Sequence, residues 1–192
     1  MVLINNCMLE NLITSKTRIR ILVKFFINSA NDGYLRGLSE EMHESTNSIR
    51  KELNNLEQAG YLQKQAIQNR VFYKANTSHP LFNTLKKIIF QHIGLDSLVT
   101  MVLERMGAVK KIVVIGDYAK GIDSGTIEVV ILGANLDMDY IEQLPGKIEK
   151  QIKRKILIYT RCEFETPGLV IYEDEELIEY NSKKLSNSKT NA

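Results

Sequence analysis

Residues 45–76 read STNSIRKELNNLEQAGYLQKQAIQNRVFYKAN. The first half sets Ile49, Leu53 and Leu56 on one helical face, the spacing of an amphipathic helix packed on a core. Ser45 stands where a hydroxyl caps the first turn, and Gly60 where a left-handed residue ends the last. Residues 61–67 and 70–75 contain β-branched and aromatic side chains and are joined at Gln68 and Asn69, which predicts a hairpin. With the aliphatic residues turned inward, Asn47, Lys51, Asn54 and Gln58 face outward, flanked by Ser48, Arg50 and Asn55. An amide-rich helix face followed at once by a basic hairpin is more specific than either part alone.

Upstream, residues 15–29 carry Ile19, Leu22, Val23 and Phe26 as a second helical stripe, ended by Asn31, Asp32 and Gly33. A shorter helix is expected over 37–43. Three short helices with a tight turn before the third form a helix-turn-helix pattern. Asn pairs bidentately with adenine and Arg or Lys with guanine in the major groove. Asn47, Arg50, Lys51 and Asn54 are therefore the candidates for base reading. Ser45, Thr46, Lys64 and Arg70 are the candidates for phosphate positioning.

The runs LNNLEQAGYL and VFYKAN make residues 16–76 resemble the winged helix-turn-helix domain of the ArsR-like repressors. That resemblance implies sequence-specific binding to double-stranded DNA as a homodimer on a two-fold site. Metal-sensing members use Cys or His ligands; here Cys7, His43 and His79 form no cluster, and no metal or other cofactor is expected.

Downstream, His79 and Pro80 mark a break. Helices are expected over 81–93 and 95–106, as a connector able to carry a dimer interface. Strand and helix patterns then alternate, with strands over 112–115, 127–132 and 156–160 and a helix over 138–154 broken at Pro145 and Gly146. Residues 169–172 read as a fourth strand or an extended segment, and the Ser/Asn/Lys-rich residues 181–192 as a disordered tail. Lys147, Lys150, Lys153, Arg154 and Lys155 read as a solvated face paired with Glu142 and Glu149, with phosphate contact as the alternative. Tyr159, Tyr172 and Tyr180 read as packing residues.

Within this second half, VVIGDYAKGIDSGTIEVVILG at residues 113–133 resembles the polymerase-β-like nucleotidyltransferases. These proteins follow a strand with G-S-Y-A-x-G and place D-x-D on the next strand, because paired carboxylates must hold the metal ions that activate the attacking oxygen. Aligning Gly116, Tyr118, Ala119 and Gly121 puts Asp117 at the serine and Thr126 and Glu128 at the two aspartates. Thr126 offers no anionic ligand and Glu128 is a methylene too long. The later strand lacks an evident third carboxylate, although Glu163 and Glu165 follow it. The resemblance thus implies a degenerate nucleotide site and no enzyme. Gly116 and Gly121 suit a phosphate cradle or a structural turn; Asp123 suits a turn or a displaced ligand. The alternatives are a metal-dependent nucleotidyltransferase using Asp117, Asp123 and Glu128, or a module sensing a nucleotide or protein effector without chemistry.

Charge agrees with this division: residues 1–92 hold 12 Lys/Arg against 7 Asp/Glu, and residues 93–192 hold 13 against 16. The basic surplus lies with the segment expected to meet a polyanion. Cys7 and Cys162 are far apart and unpaired in sequence, which points to a reducing compartment. No secretion signal is legible and no apolar run approaches the roughly 20 residues that span a bilayer, so a cytoplasmic protein without membrane contact is expected. The fold class expected is α+β, with a winged helix over 1–78, a helical connector over 79–107, a small mixed α/β nucleotidyltransferase-like domain over 108–180, and a tail over 181–192.

Overall fold

The computed structural model describes residues 8–161 and 167–174. It is a mixed α+β structure with two sheets, one of three strands and one of four. Cys7, Cys162, Glu163, Glu165, Tyr180 and the expected tail lie outside the described residues.

A short α1 (Met8–Leu12) precedes α2 (Lys16–Phe26), whose first turn is capped by Ser15 through a bond accepted from the Arg18 amide. The residues expected only to end this helix instead form β1 (Asp32–Tyr34), which pairs antiparallel with a later strand. Its Gly33 lies so close to the Leu38 side chain that a Cβ would fall within 2.7 Å of it. α3 (Leu35–Met42) ends on His43, left-handed at φ 52, and Ser45 then caps α4 (Thr46–Gln58) as expected. Gly60 takes φ +80 and turns the chain into β2 (Leu62–Ile67) and β3 (Arg70–Ala75), the expected hairpin, antiparallel with Ile67 opposite Arg70. β3 is central, giving the order β1-β3-β2.

α5 (Phe82–Ile93) and α6 (Leu95–Arg105) meet at Gly94, whose φ of +95 makes the corner. Leu95, Leu98, Val102 and Met106 are fully buried, so the expected connector is part of the core. β4 (Ala108–Ile115), the short α7 (Gly116–Ala119), β5 (Thr126–Ala134), α8 (Met138–Ile152), β6 (Lys155–Arg161) and β7 (Leu169–Glu173) complete the chain. The sheet order is β6-β5-β4-β7, with β5 and β6 parallel and the other pairs antiparallel. The break expected at Pro145 does not occur: α8 runs through it. Proline removes one helical hydrogen bond, and burial of Ile141, Leu144, Ile148 and Ile152 along one face offsets that loss.

One cluster of buried apolar residues extends from Leu9 to Ile156 and includes α2, α4, α5, α6, α8 and one face of the second sheet. Val113, Val130 and Leu132 form a smaller cluster on its other face. Tyr172 packs against the main core, whereas Tyr159 is 41% exposed. No helix among the described residues is long and apolar enough to cross a membrane.

Candidate functional site

α4 is divided as its sequence demands. Ile49, Leu53 and Leu56 are buried, and Ser45, Thr46, Asn47, Arg50, Lys51 and Asn54 are exposed. The buried face also contains Glu52, 6% exposed, which accepts from Ser15 Oγ at 2.8 Å and Arg18 Nε at 2.7 Å. A buried carboxylate needs such partners, and here they fix α4 on α2. Arg20 Nη1 donates to the Met42 carbonyl at 3.0 Å and to Glu44 at 3.1 Å, holding the turn between α3 and α4.

Between α3, α4 and the hairpin lies an open groove of about 730 Å³, lined in part by Arg36, Arg50, Asn54, Asn69 and Arg70. The fold thus brings Arg50, Asn54 and Arg70 together. The other candidates stand outside the groove. Ser45 Oγ is engaged at the helix cap with the Ser48 amide and hydroxyl, and Asn47 accepts from Arg50 at 3.3 Å. Lys64 pairs with Glu57 at 3.0 Å, which raises the lysine's pKa through that hydrogen bond. It therefore sits at the hairpin's root, whereas Arg70 holds the tip with its guanidinium 4.6 Å from the Tyr34 ring. Sequence reasoning missed Arg36, whose signal was its place opposite Leu38 and Met42 on α3. Glu40 also lines the groove, so three arginines face one carboxylate there.

The second candidate site is built differently from a phosphate cradle. Gly116 has φ +66, and a Cβ there would fall 2.4 Å from Glu128 Oε1. The Glu128 carboxylate therefore rests against the glycine. A Cβ on Gly121 would fall 2.5 Å from the Lys24 carbonyl oxygen, so this glycine admits the backbone of α2. The register sets Thr126 beside Lys155 and Glu128 beside Leu157, so neither has a carboxylate as its pairing partner on β6. Asp117 opens α7. Among the described residues no group of three or more His, Cys, Asp or Glu side chains could hold a metal ion.

Sequence reasoning also missed a network joining the halves. Tyr118 is fully buried, and its hydroxyl donates to Asp123 in a very short bond and accepts from Arg154 Nε at 2.9 Å. Arg154 Nη2 reaches Asp123 Oδ2 at 2.9 Å, and Nη1 donates to the His92 carbonyl at 3.2 Å, at the end of α5. The expected solvated role of Arg154 is corrected: its side chain is 13% exposed, and a guanidinium with this many acceptors is a structural fork. Burial, reinforced by the Asp123 charge, pushes the Tyr118 hydroxyl up. For Asp123 burial acts upward, but Arg154 and Tyr118 outweigh it and hold the carboxyl below its ordinary value. Lys24, 6% exposed, adds a second tie, donating to Glu41 at 2.8 Å and to the Lys120 carbonyl at 2.9 Å.

No family model and no curated protein matches the sequence. Among solved structures, the chain is similar to a mutant of the toxin-antitoxin MntA-HpeT, at 15% identity over 50% of this chain and 86% of that one, with a TM-score of 0.39. It is also similar to reduced HlyU from Vibrio cholerae N16961, at 17% identity over 43% of this chain and 82% of that one, with a TM-score of 0.34.

Proposed function

We propose that this protein is a cytoplasmic, sequence-specific DNA-binding transcriptional regulator, acting as a homodimer. In this reading residues 1–78 form a winged helix-turn-helix unit, 79–107 a connector, and 108–180 a nucleotidyltransferase-like unit without catalysis. The observation that carries it is the convergence of Arg50 and Asn54 of α4 with Arg70 of the hairpin in one groove. Polar and cationic side chains on a helix with an adjoining hairpin suit major-groove reading with flanking phosphate contact. The contact of Glu128 with Gly116 and of Lys24 with Gly121 supports assigning no phosphoryl transfer to the second unit.

Selection of bound duplexes from a random pool at two salt concentrations tests this reading. A two-fold symmetric motif is the expected product. Salt-sensitive retention without enrichment would reduce the protein to a nonspecific DNA binder, and no retention would refute the reading.

A further inference from the structure

Where the two halves meet, a cleft of about 480 Å³ opens between α1, the start of α2, the loop at residues 123–125 and the end of α8. Its charged lining is Lys16, Arg20, Lys153 and Arg154 against Glu10 and Asp123. Asp123 is committed to Arg154, leaving Glu10 as the acid that faces the remaining cations. Among the described residues neither Lys16 nor Lys153 pairs with a carboxylate. Lys153 adopts φ 54 as the C-cap of α8, a left-handed position that glycine fills at lower cost. A long cation kept in a strained backbone at a cleft wall is a pointer to function. Gly125, whose carbonyl accepts from the Lys155 amide at 2.9 Å, has nothing within 4 Å of the place its Cβ would take, so the space beside it is open.

We propose that this cleft binds a small phosphorylated anion between Lys16 and Lys153, with Arg20 beside it in the lining, and that Arg20 carries occupancy to the turn between α3 and α4. Lysine supplies a mobile point charge for phosphate, and arginine a directional donor. One Arg20 nitrogen already holds the Met42 carbonyl and Glu44. An anion drawing on the same guanidinium redistributes those bonds, and the turn they hold sets the start of α4. The coupling, though not the site, rests on the DNA-reading assignment above.

Calorimetric titration of the full chain with inorganic pyrophosphate tests the site. Saturable binding is expected, weakened at least tenfold in the double variant Lys16→Ala, Lys153→Gly, in which glycine suits the backbone and circular dichroism checks the fold. No saturable heat, or unchanged affinity in a folded double variant, overturns the proposal. ATP in parallel separates two sources: tighter binding than pyrophosphate identifies a nucleotide, and equal or weaker binding identifies the phosphate group alone. For the coupling, saturating pyrophosphate at constant ionic strength should change affinity for a selected duplex several-fold in the unmodified protein and leave the double variant unaffected. An equal response in both removes the coupling. A protein that binds pyrophosphate but no duplex keeps the cleft and loses the DNA reading.

Discussion

Asp123 shows how little of a residue's role is carried by its immediate sequence. Beside Ser124 and Gly125 it reads as a turn former, yet its carboxylate is bound by Arg154, 31 positions away, and by Tyr118. Because its folded pKa is lowered, its contribution is present above its unfolded value of about 3.9 and is lost as pH falls through the lower folded value. Acid unfolding of the Asp123→Asn variant should therefore show a shallower dependence of stability on pH below about 4, with lower stability at neutral pH. Denaturant melts across that range measure the slope, and an identical slope in both proteins would remove Asp123 from the acid response. Gly121 makes a related point: an isolated glycine in a loop is weak evidence for a cradle, and the atoms nearest its Cβ position are the Lys24 backbone of α2 and the Asn31 side chain.

At the scale of elements, local pattern served well where one face of an element meets the core. α4, its Ser45 cap, the Gly60 stop and both hairpin strands were legible because apolar spacing and turn chemistry agreed. β1 was not, since three residues containing Asp32 and Gly33 become a strand only through pairing with β3. Nor was the continuity of α8, where tertiary burial overrides the local cost of Pro145. Of the candidate groove, Arg50, Asn54 and Arg70 were legible; Arg36 depends on how α3 crosses α4. The hairpin and the helix make separable predictions. Arg70→Ala should weaken binding to every duplex and reduce the slope of log affinity against log salt by about 1. Asn54→Ala should relax discrimination at one position, costing about 1–3 kcal/mol on the preferred base. Titrations by fluorescence anisotropy at several salt concentrations distinguish them; an unchanged slope for Arg70→Ala would refute its phosphate role.

For the whole molecule, the continuous core from Leu9 to Ile156 implies that the sequence units do not melt separately. Leu98 on α6 is fully buried within that cluster. Its replacement by Ala should cost about 2–5 kcal/mol and lower the stability of both halves together. Hydrogen exchange followed by mass spectrometry provides the check: peptides from α4 and β5 should lose protection to the same extent. Loss confined to one half would show two independent folding units.

The buried ammonium of Lys24 gives this architecture a built-in reporter. Acylating reagents need a free, deprotonated amine. At 6% exposure and held by both Glu41 and the Lys120 carbonyl, this nitrogen is reachable only when α2 parts from the loop before Gly121. Its labelling rate, set against that of an exposed lysine such as Lys51, is therefore a clock for the opening of the seam, readable in solution on the unmutated protein.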